Sequence, residues 1–255
     1  MNQTLTPLTS TGPRHGSPRP CRSQRLCRSC SWPWISKAGS FWSSKTSTEE
    51  CLAQPWQLDE LHRVLGAANE LSVLLDPSPI AAPPVADRFG EKFQGWRRLS
   101  AASADGTDDL AWLDPWARRN LGRLVDREAA WIAAAAGSAL IHGDLRADNV
   151  LLTDDRVMVV DWPWAAVGAS WFDVVAMGPS VIMQGAPDAV SLLDQHLFAR
   201  GADPEDVTTV LIAAAGYFLR QSVQAPPPGL PTVRDFQRAQ GQAALHWVRE
   251  RTHWR

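Results

Sequence analysis

The 255-residue sequence predicts an α+β fold in which a mainly helical lobe carries one small β-hairpin, and three observations lead there. From residue 55 onward, apolar residues recur at three- and four-residue steps, the period of a helix with one buried face. Two short apolar runs, 150–152 and 157–160, flank Thr153-Asp154-Asp155-Arg156, a polar link of the length that joins paired strands. Residues 1–50 differ in kind: they hold seven Lys/Arg against two Asp/Glu, whereas the remainder holds eighteen against twenty-five. That break predicts two parts, a disordered or out-of-frame segment over 1–54 and a folded lobe over 55–255.

The elements follow in order. Pro55-Trp56-Gln57 opens a helix whose stripe is Leu58, Leu61, Val64, Leu65, Ala68, Leu71 and Leu75, and Asp76-Pro77-Ser78-Pro79 stops it. Residues 80–87 read as a Pro/Ala connector, and 88–100, with Trp96 and Lys92, carry no firm pattern. A second helical block covers 110–137, with Asp114-Pro115 as its start or a break and Gly137 as its left-handed cap. Ala139-Leu140-Ile141 reads as a short buried strand leading into a polar loop, followed by the hairpin. Helices are then expected over 172–183, 188–200, 204–223 and 232–251, with the Pro-rich loop 225–229 before the last; no repeat is visible.

Composition removes several function classes. No apolar core of roughly seven residues follows a basic start, so no secretory signal is expected, and no run approaches the ~18 apolar residues of a membrane span. A cytoplasmic location without membrane attachment is the resulting expectation. Cys21, Cys27, Cys30 and Cys51 all fall in or beside the basic segment; Cys27-x-x-Cys30 lacks the second paired knuckle of a zinc site, so free thiols are expected. The basic Ser/Arg run lacks interleaved aromatics and reads as solvated chain, not as a nucleic-acid surface.

The chemistry concentrates in 140–164. His142-Gly143-Asp144 is followed five residues later by Asn149, and Asp161 ends the second apolar run. The hairpin connection brings Asn149, just before its first strand, and Asp161, just after its second, to the same end. A carboxylate to receive a hydroxyl proton, with an amide oxygen and a second carboxylate to hold magnesium against ATP phosphates, is what phosphoryl transfer needs. Asp144, His142 and Arg146 are therefore the candidate catalytic residues, and Asn149 and Asp161 the candidate magnesium and nucleotide ligands. His142 is expected to brace the loop by hydrogen bonds, and Gly143 to let it bend. Arg146 has two readings, an approach to phosphate or substrate and a structural ion pair. Trp162 and Trp164 likewise divide between a cleft wall and core packing.

His142-Gly143-Asp144-Leu145-Arg146-Ala147-Asp148-Asn149-Val150-Leu151-Leu152, with Val159-Val160-Asp161-Trp162 beyond it, resembles the catalytic core of the aminoglycoside phosphotransferase and choline kinase-like family. The resemblance implies a protein-kinase-like fold, ATP and magnesium as cofactors, Asp144 as base, Asn149 and Asp161 as metal ligands, and Asp173 as a structural aspartate. It implies a small-molecule hydroxyl as acceptor. The acidic excess after residue 50 suits a cationic acceptor, and equally suits any soluble protein.

The resemblance also implies a smaller N-terminal lobe with a lysine on the ATP phosphates. The chain has three lysines, Lys37, Lys45 and Lys92, and none sits in a suitable strand pattern. Read from the third base of each codon, Trp34-Ile35 gives Asp, Phe41-Trp42 gives Leu, and G/C-rich wobble choices make 34–52 look like the last N-lobe strands and hinge of this family. Residues up to about Leu52 are thus expected to be out of frame and the N-terminal lobe missing or disrupted. The competing expectation to an active kinase is an impaired remnant or a non-enzymatic binding protein.

Overall fold

The computed structural model describes residues 50–51 and 55–255, which belong to a compact unit spanning Ser47–Arg255. The four cysteines' side chains, Lys37, Lys45 and most of the segment expected to be out of frame lie outside the described residues. Within that segment Glu50–Cys51 forms a strand, β1, antiparallel to the first hairpin strand, with Glu50 opposite Leu152 and Cys51 opposite Leu151.

Helix α1 (Leu58–Leu74) buries Leu61, Val64, Leu65 and Ala68, four of the seven stripe positions expected from the sequence. Of the other three, Leu71 and Leu75 are half-buried and Leu58, at the helix start, is 43% exposed. The stretch without a firm pattern resolves into α2 (Val85–Phe89) and α3 (Gly95–Ala104). Expected as one helical block, 110–137 instead forms three short helices, α4 (Pro115–Arg119), α5 (Leu121–Glu128) and α6 (Trp131–Ala134). The division follows the hydrogen bonds: Asn120 ends α4 and starts α5, and Glu128 is drawn inward to accept from the first amides of α3, Trp96 N and Arg97 N, both at 2.9 Å. These orphan amides at a helix start have no partner within their own helix.

The sheet elements are small. β2 (Ala139–Ile141) pairs antiparallel with β5 (Ala166–Gly168), a strand the sequence pattern does not reveal. β3 (Val150–Leu152) and β4 (Val157–Val159) form the expected hairpin, in register Val150–Val159, Leu151–Met158 and Leu152–Val157. Arg63 of α1 donates to the carbonyls of Thr153 and Arg156, so the hairpin turn is fixed to the first helix.

Four longer helices complete the lobe: α7 (Phe172–Met183), α8 (Ala189–Phe198), α9 (Pro204–Ser222) and α10 (Val233–Thr252). Every residue from Val207 to Gly216 is buried, which makes α9 the central helix; it packs along α10 and also meets α3, α5, α6 and α7. Close approach is built in at Gly216, where an added Cβ would stand 2.6 Å from Trp96 Cδ1. Trp96 is fully buried and its indole donates to the Ile212 carbonyl at 2.7 Å. Among the described residues no helix is long and apolar enough to cross a membrane.

Candidate active site

β2 delivers His142-Gly143-Asp144 to one end of the lobe. Gly143 has φ +78°, and a Cβ there would stand 2.5 Å from the Trp164 carbonyl oxygen and 3.0 Å from Phe89 Cζ, so both conformation and space require glycine. Asp173, at the start of α7, holds the turn: one carboxylate oxygen accepts from His142 N at 2.7 Å and the other from Gly143 N at 2.8 Å. Burial holds the Asp173 carboxyl above its ordinary pKa, against the lowering effect of those two amides.

His142 is 1% exposed and both ring nitrogens are engaged. The Asp144 amide donates to Nδ1 at 3.2 Å, so Nδ1 is the acceptor, and Nε2 carries the proton toward the Val160 carbonyl at 2.9 Å. Trp162 meets the ring edge-on at 4.7 Å. His142 therefore links the Asp144 loop to the strand end before Asp161 and presents no free nitrogen to a reactant.

The hairpin register does the convergence. With Val150 opposite Val159, the next pair outward is Asn149 and Val160, joined by Val160 N donating to the Asn149 carbonyl at 3.0 Å, and Asp161 follows directly. Asn149 is 6% exposed; its Nδ2 donates to the Asp144 carbonyl at 2.8 Å and lies 3.5 Å from Asp144 Oδ2. One short turn of 3₁₀ helix (Ala147–Asn149) closes the loop between them. Asp161 has φ +65°, a left-handed conformation uncommon for a residue with a side chain. Its side chain is exposed and, among the described residues, without a hydrogen bond or ion pair.

Asp144 is a third exposed at the side chain, with Arg146 Nε 3.5 Å from Oδ1. Burial raises its pKa above the ordinary aspartate value; Arg146 opposes, Asp148 and Asp161 add to the rise, and His142 opposes. Arg146 also pairs with Asp148 at 2.7 Å, so of its two sequence readings the ion pair is present, and its guanidinium lies 5.8 Å over the Phe236 ring. Trp164 is 37% exposed with Lys92 Nζ 3.3 Å from its ring centroid. The five expected site residues, His142, Asp144, Arg146, Asn149 and Asp161, thus gather at one end of β2 and the hairpin.

A hard divalent cation would find two oxygen donors here. Asn149 Nδ2 is spent on Asp144, which leaves Oδ1, an oxygen donor, as the atom still available; Asp161 contributes an unpaired carboxylate. Among the described residues no group of three or more His, Cys, Asp or Glu side chains is placed to hold a metal. Two oxygen donors with open positions fit magnesium bound partly through phosphates, and do not fit a closed structural metal cage.

Sequence reasoning missed the neighbours that packing brings to this loop. Lys92 and Tyr217 of α9 feel the Asp144 charge and Phe236 of α10 lies under Arg146, across 52 to 90 residues of chain, and no spacing signal connects them.

No curated protein matches the sequence. Among solved structures the chain is similar to a choline/ethanolamine kinase family protein from Mesorhizobium loti, with 16% identity over 79% of this chain and 70% of that one and a TM-score of 0.47. The description of the phosphotransferase enzyme family matches residues 32–207. With well over half of its length so matched, and with the His-Gly-Asp loop and hairpin inside the matched span, the chain belongs to the phosphotransferase enzyme family.

Proposed function

We propose that the chain moves the γ-phosphate of ATP to a hydroxyl of a small molecule within a protein-kinase-like lobe, with Asp144 as the base. The observation that carries this reading is the register-imposed meeting of Asn149 and Asp161 beside Asp144. Asp144 accepts the hydroxyl proton, or holds the hydroxyl in line with the phosphoryl group, and its raised pKa makes it a better proton acceptor than a solvated carboxylate. Asn149 Oδ1 and the Asp161 carboxylate would hold magnesium, which when bound neutralises phosphate charge. His142 and Asp173 position the loop, and Arg146 steadies Asp144 and Asp148. Catalysis in such a site rests on alignment and electrostatics more than on covalent chemistry.

The test is ADP formation from MgATP with purified chain. Asp144→Asn is expected to lower kcat by roughly 10²- to 10⁴-fold, and unchanged turnover in that variant would sink the assignment.

One observation favours a second reading, an impaired remnant. Lys92 is the only lysine among residues 55–255 and sits within the helical lobe, between α2 and α3, so these residues offer no small-lobe strand lysine for the ATP phosphates. A remnant would fold yet show no rise in Tm with MgATP, whereas a competent kinase at ligand concentrations of about 100 Kd gains about 2.7 kcal/mol.

A further inference from the structure

The Trp164 carbonyl abuts Gly143, next to Asp144, and around Trp164 and Ala165 the fold gathers Arg88 of α2 and Lys92 just beyond it, while Arg234 of α10 shares Tyr217 as a neighbour with Asp144. Lys92 Nζ lies 3.3 Å from the Trp164 centroid and 5.3 Å from that of Phe89. Arg88 donates to the Ala165 carbonyl at 3.2 Å and keeps a buried Nε with no hydrogen-bond partner. Arg234 is held by neutral groups alone, Gln221 at 3.0 Å, Gln237 at 2.8 Å and the Ala225 carbonyl at 2.8 Å.

This surface lacks neutralisation among the described residues. Among the described residues, Arg88, Lys92 and Arg234 have no carboxylate within ion-pair distance, and Glu91, next to Lys92 in sequence, is turned to Arg98 at 2.9 Å. Asp148 is taken by Arg146. Burial lowers the Lys92 pKa, Arg88 lowers it further, and Asp144 alone opposes, so this ammonium has lost water without gaining a dedicated counter-ion. Such a group is costly unless an anion joins it. Access exists, since Trp164 beneath the lysine is 37% exposed.

We infer that the acceptor carries a negatively charged group, seated against Lys92 and Arg88 so that its hydroxyl meets Asp144. This rests on the phosphotransferase reading for the hydroxyl and deepens it by fixing the acceptor's charge. It reverses the sign that the acidic excess after residue 50 would suit, because charges beyond roughly 8 to 10 Å are largely screened at physiological salt, whereas Lys92 feels the Asp144 charge directly and Arg88 stands beside Lys92.

Two hydroxyl compounds of similar size and opposite charge decide the matter: malate and 1,3-diamino-2-propanol, each titrated against the full chain at matched ionic strength with Tm as readout. Malate is expected to raise Tm saturably and the diamine not to. Lys92→Met keeps an apolar stem on Trp164 and removes the charge; malate binding is expected to weaken about tenfold, the scale of one charge-assisted hydrogen bond. Arg88→Gln supplies the same test should Lys92→Met fail to fold. Equal shifts from the two compounds, no malate shift, or a malate shift untouched by both variants overturns the inference. The two readings fail separately: malate bound by a chain without ATP turnover sinks the phosphotransferase assignment alone, and Asp144-dependent turnover with the diamine preferred over malate sinks the anionic acceptor alone.

Discussion

The polar end of the lobe and its helical centre are held by different physics. Between Ala139 and Asp173, residue identity is dictated by individual hydrogen bonds and backbone angles: Asp173 on two amides, His142 bridging two segments, Gly143 and Asp161 in left-handed conformations. Between Val207 and Val248, identity is dictated by volume: α9 is buried through its middle, and α10 packs along it with Trp247 and Val248 fully buried. The contrast teaches where function and stability separate. Changes to the partly or fully exposed acids of the first region, Asp144 and Asp161, should act on turnover with little effect on folding, and changes in the second region should do the reverse.

The largest effect expected from this contrast comes from Asp161→Gly. Glycine occupies a φ of +65° without penalty, while an ordinary side chain there costs on the order of 1 kcal/mol. The exchange should abolish a charged oxygen ligand, lowering kcat by about 10²- to 10³-fold, yet leave thermal stability unchanged or raised. A lower Tm for this variant would break the separation. Gly216→Val is its counterpart: with the added Cβ 2.6 Å from Trp96 Cδ1, overpacking should cost about 1–3 kcal/mol in chemical denaturation, with kcat per folded molecule retained.

Arg146 sharpens the comparison within the polar end. Burial raises the Asp144 pKa and Arg146 is the largest opposing influence. A base must be deprotonated to act, so activity is present above its pKa and lost as pH falls through it. Arg146→Gln removes the opposing charge, raises the Asp144 pKa further, and should move the acidic limb of the kcat profile to higher pH. A limb that stays in place or moves down would show that Arg146 does not govern Asp144.

The sequence made these two regions legible to different degrees. The four C-terminal helices begin and end within two residues of their expected limits, since their apolar spacing and Asp-Pro or loop boundaries are local signals. The hairpin was legible for the same reason, and with it the meeting of Asn149 and Asp161. β5 was not, because Ala-Val-Gly carries no pattern and owes its strand form to β2, some 27 residues away. The splitting of 110–137 was hidden because Glu128 is committed to α3, a partner that no periodicity announces. The cations facing Asp144 were hidden most completely, as Lys92 and Trp164 lie 72 residues apart and meet only through the packing of α2 against β5.

The smallest effects come from two Asp-Pro helix starts that look alike in sequence and differ in three dimensions. Asp203 caps α9 by accepting from Glu205 N at 2.8 Å and Asp206 N at 3.2 Å, in an exposed position. Asp114 caps α4 by accepting from Trp116 N at 2.8 Å and Ala117 N at 3.3 Å, and in addition pairs with Arg249 of α10. Asp203→Ala should cost about 1 kcal/mol, the ordinary loss of an N-cap, and Asp114→Ala about 2 kcal/mol, as it also strips a partner from Arg249. Neither should change kcat. The pair also has a pH signature. Burial pushes the Asp114 carboxyl up, but Arg249 and the two amides outweigh it and hold the pKa below the ordinary value. A carboxyl depressed in the folded state stabilises above its unfolded pKa, about 3.9, and loses that stabilisation as pH falls through its folded value. The extra cost of Asp114→Ala over Asp203→Ala should therefore be largest near neutrality and shrink in acid, measured as the difference in denaturation midpoints of the two variants across pH. A difference that persists in acid would mean that packing around Arg249, not the charge on Asp114, ties α4 to α10.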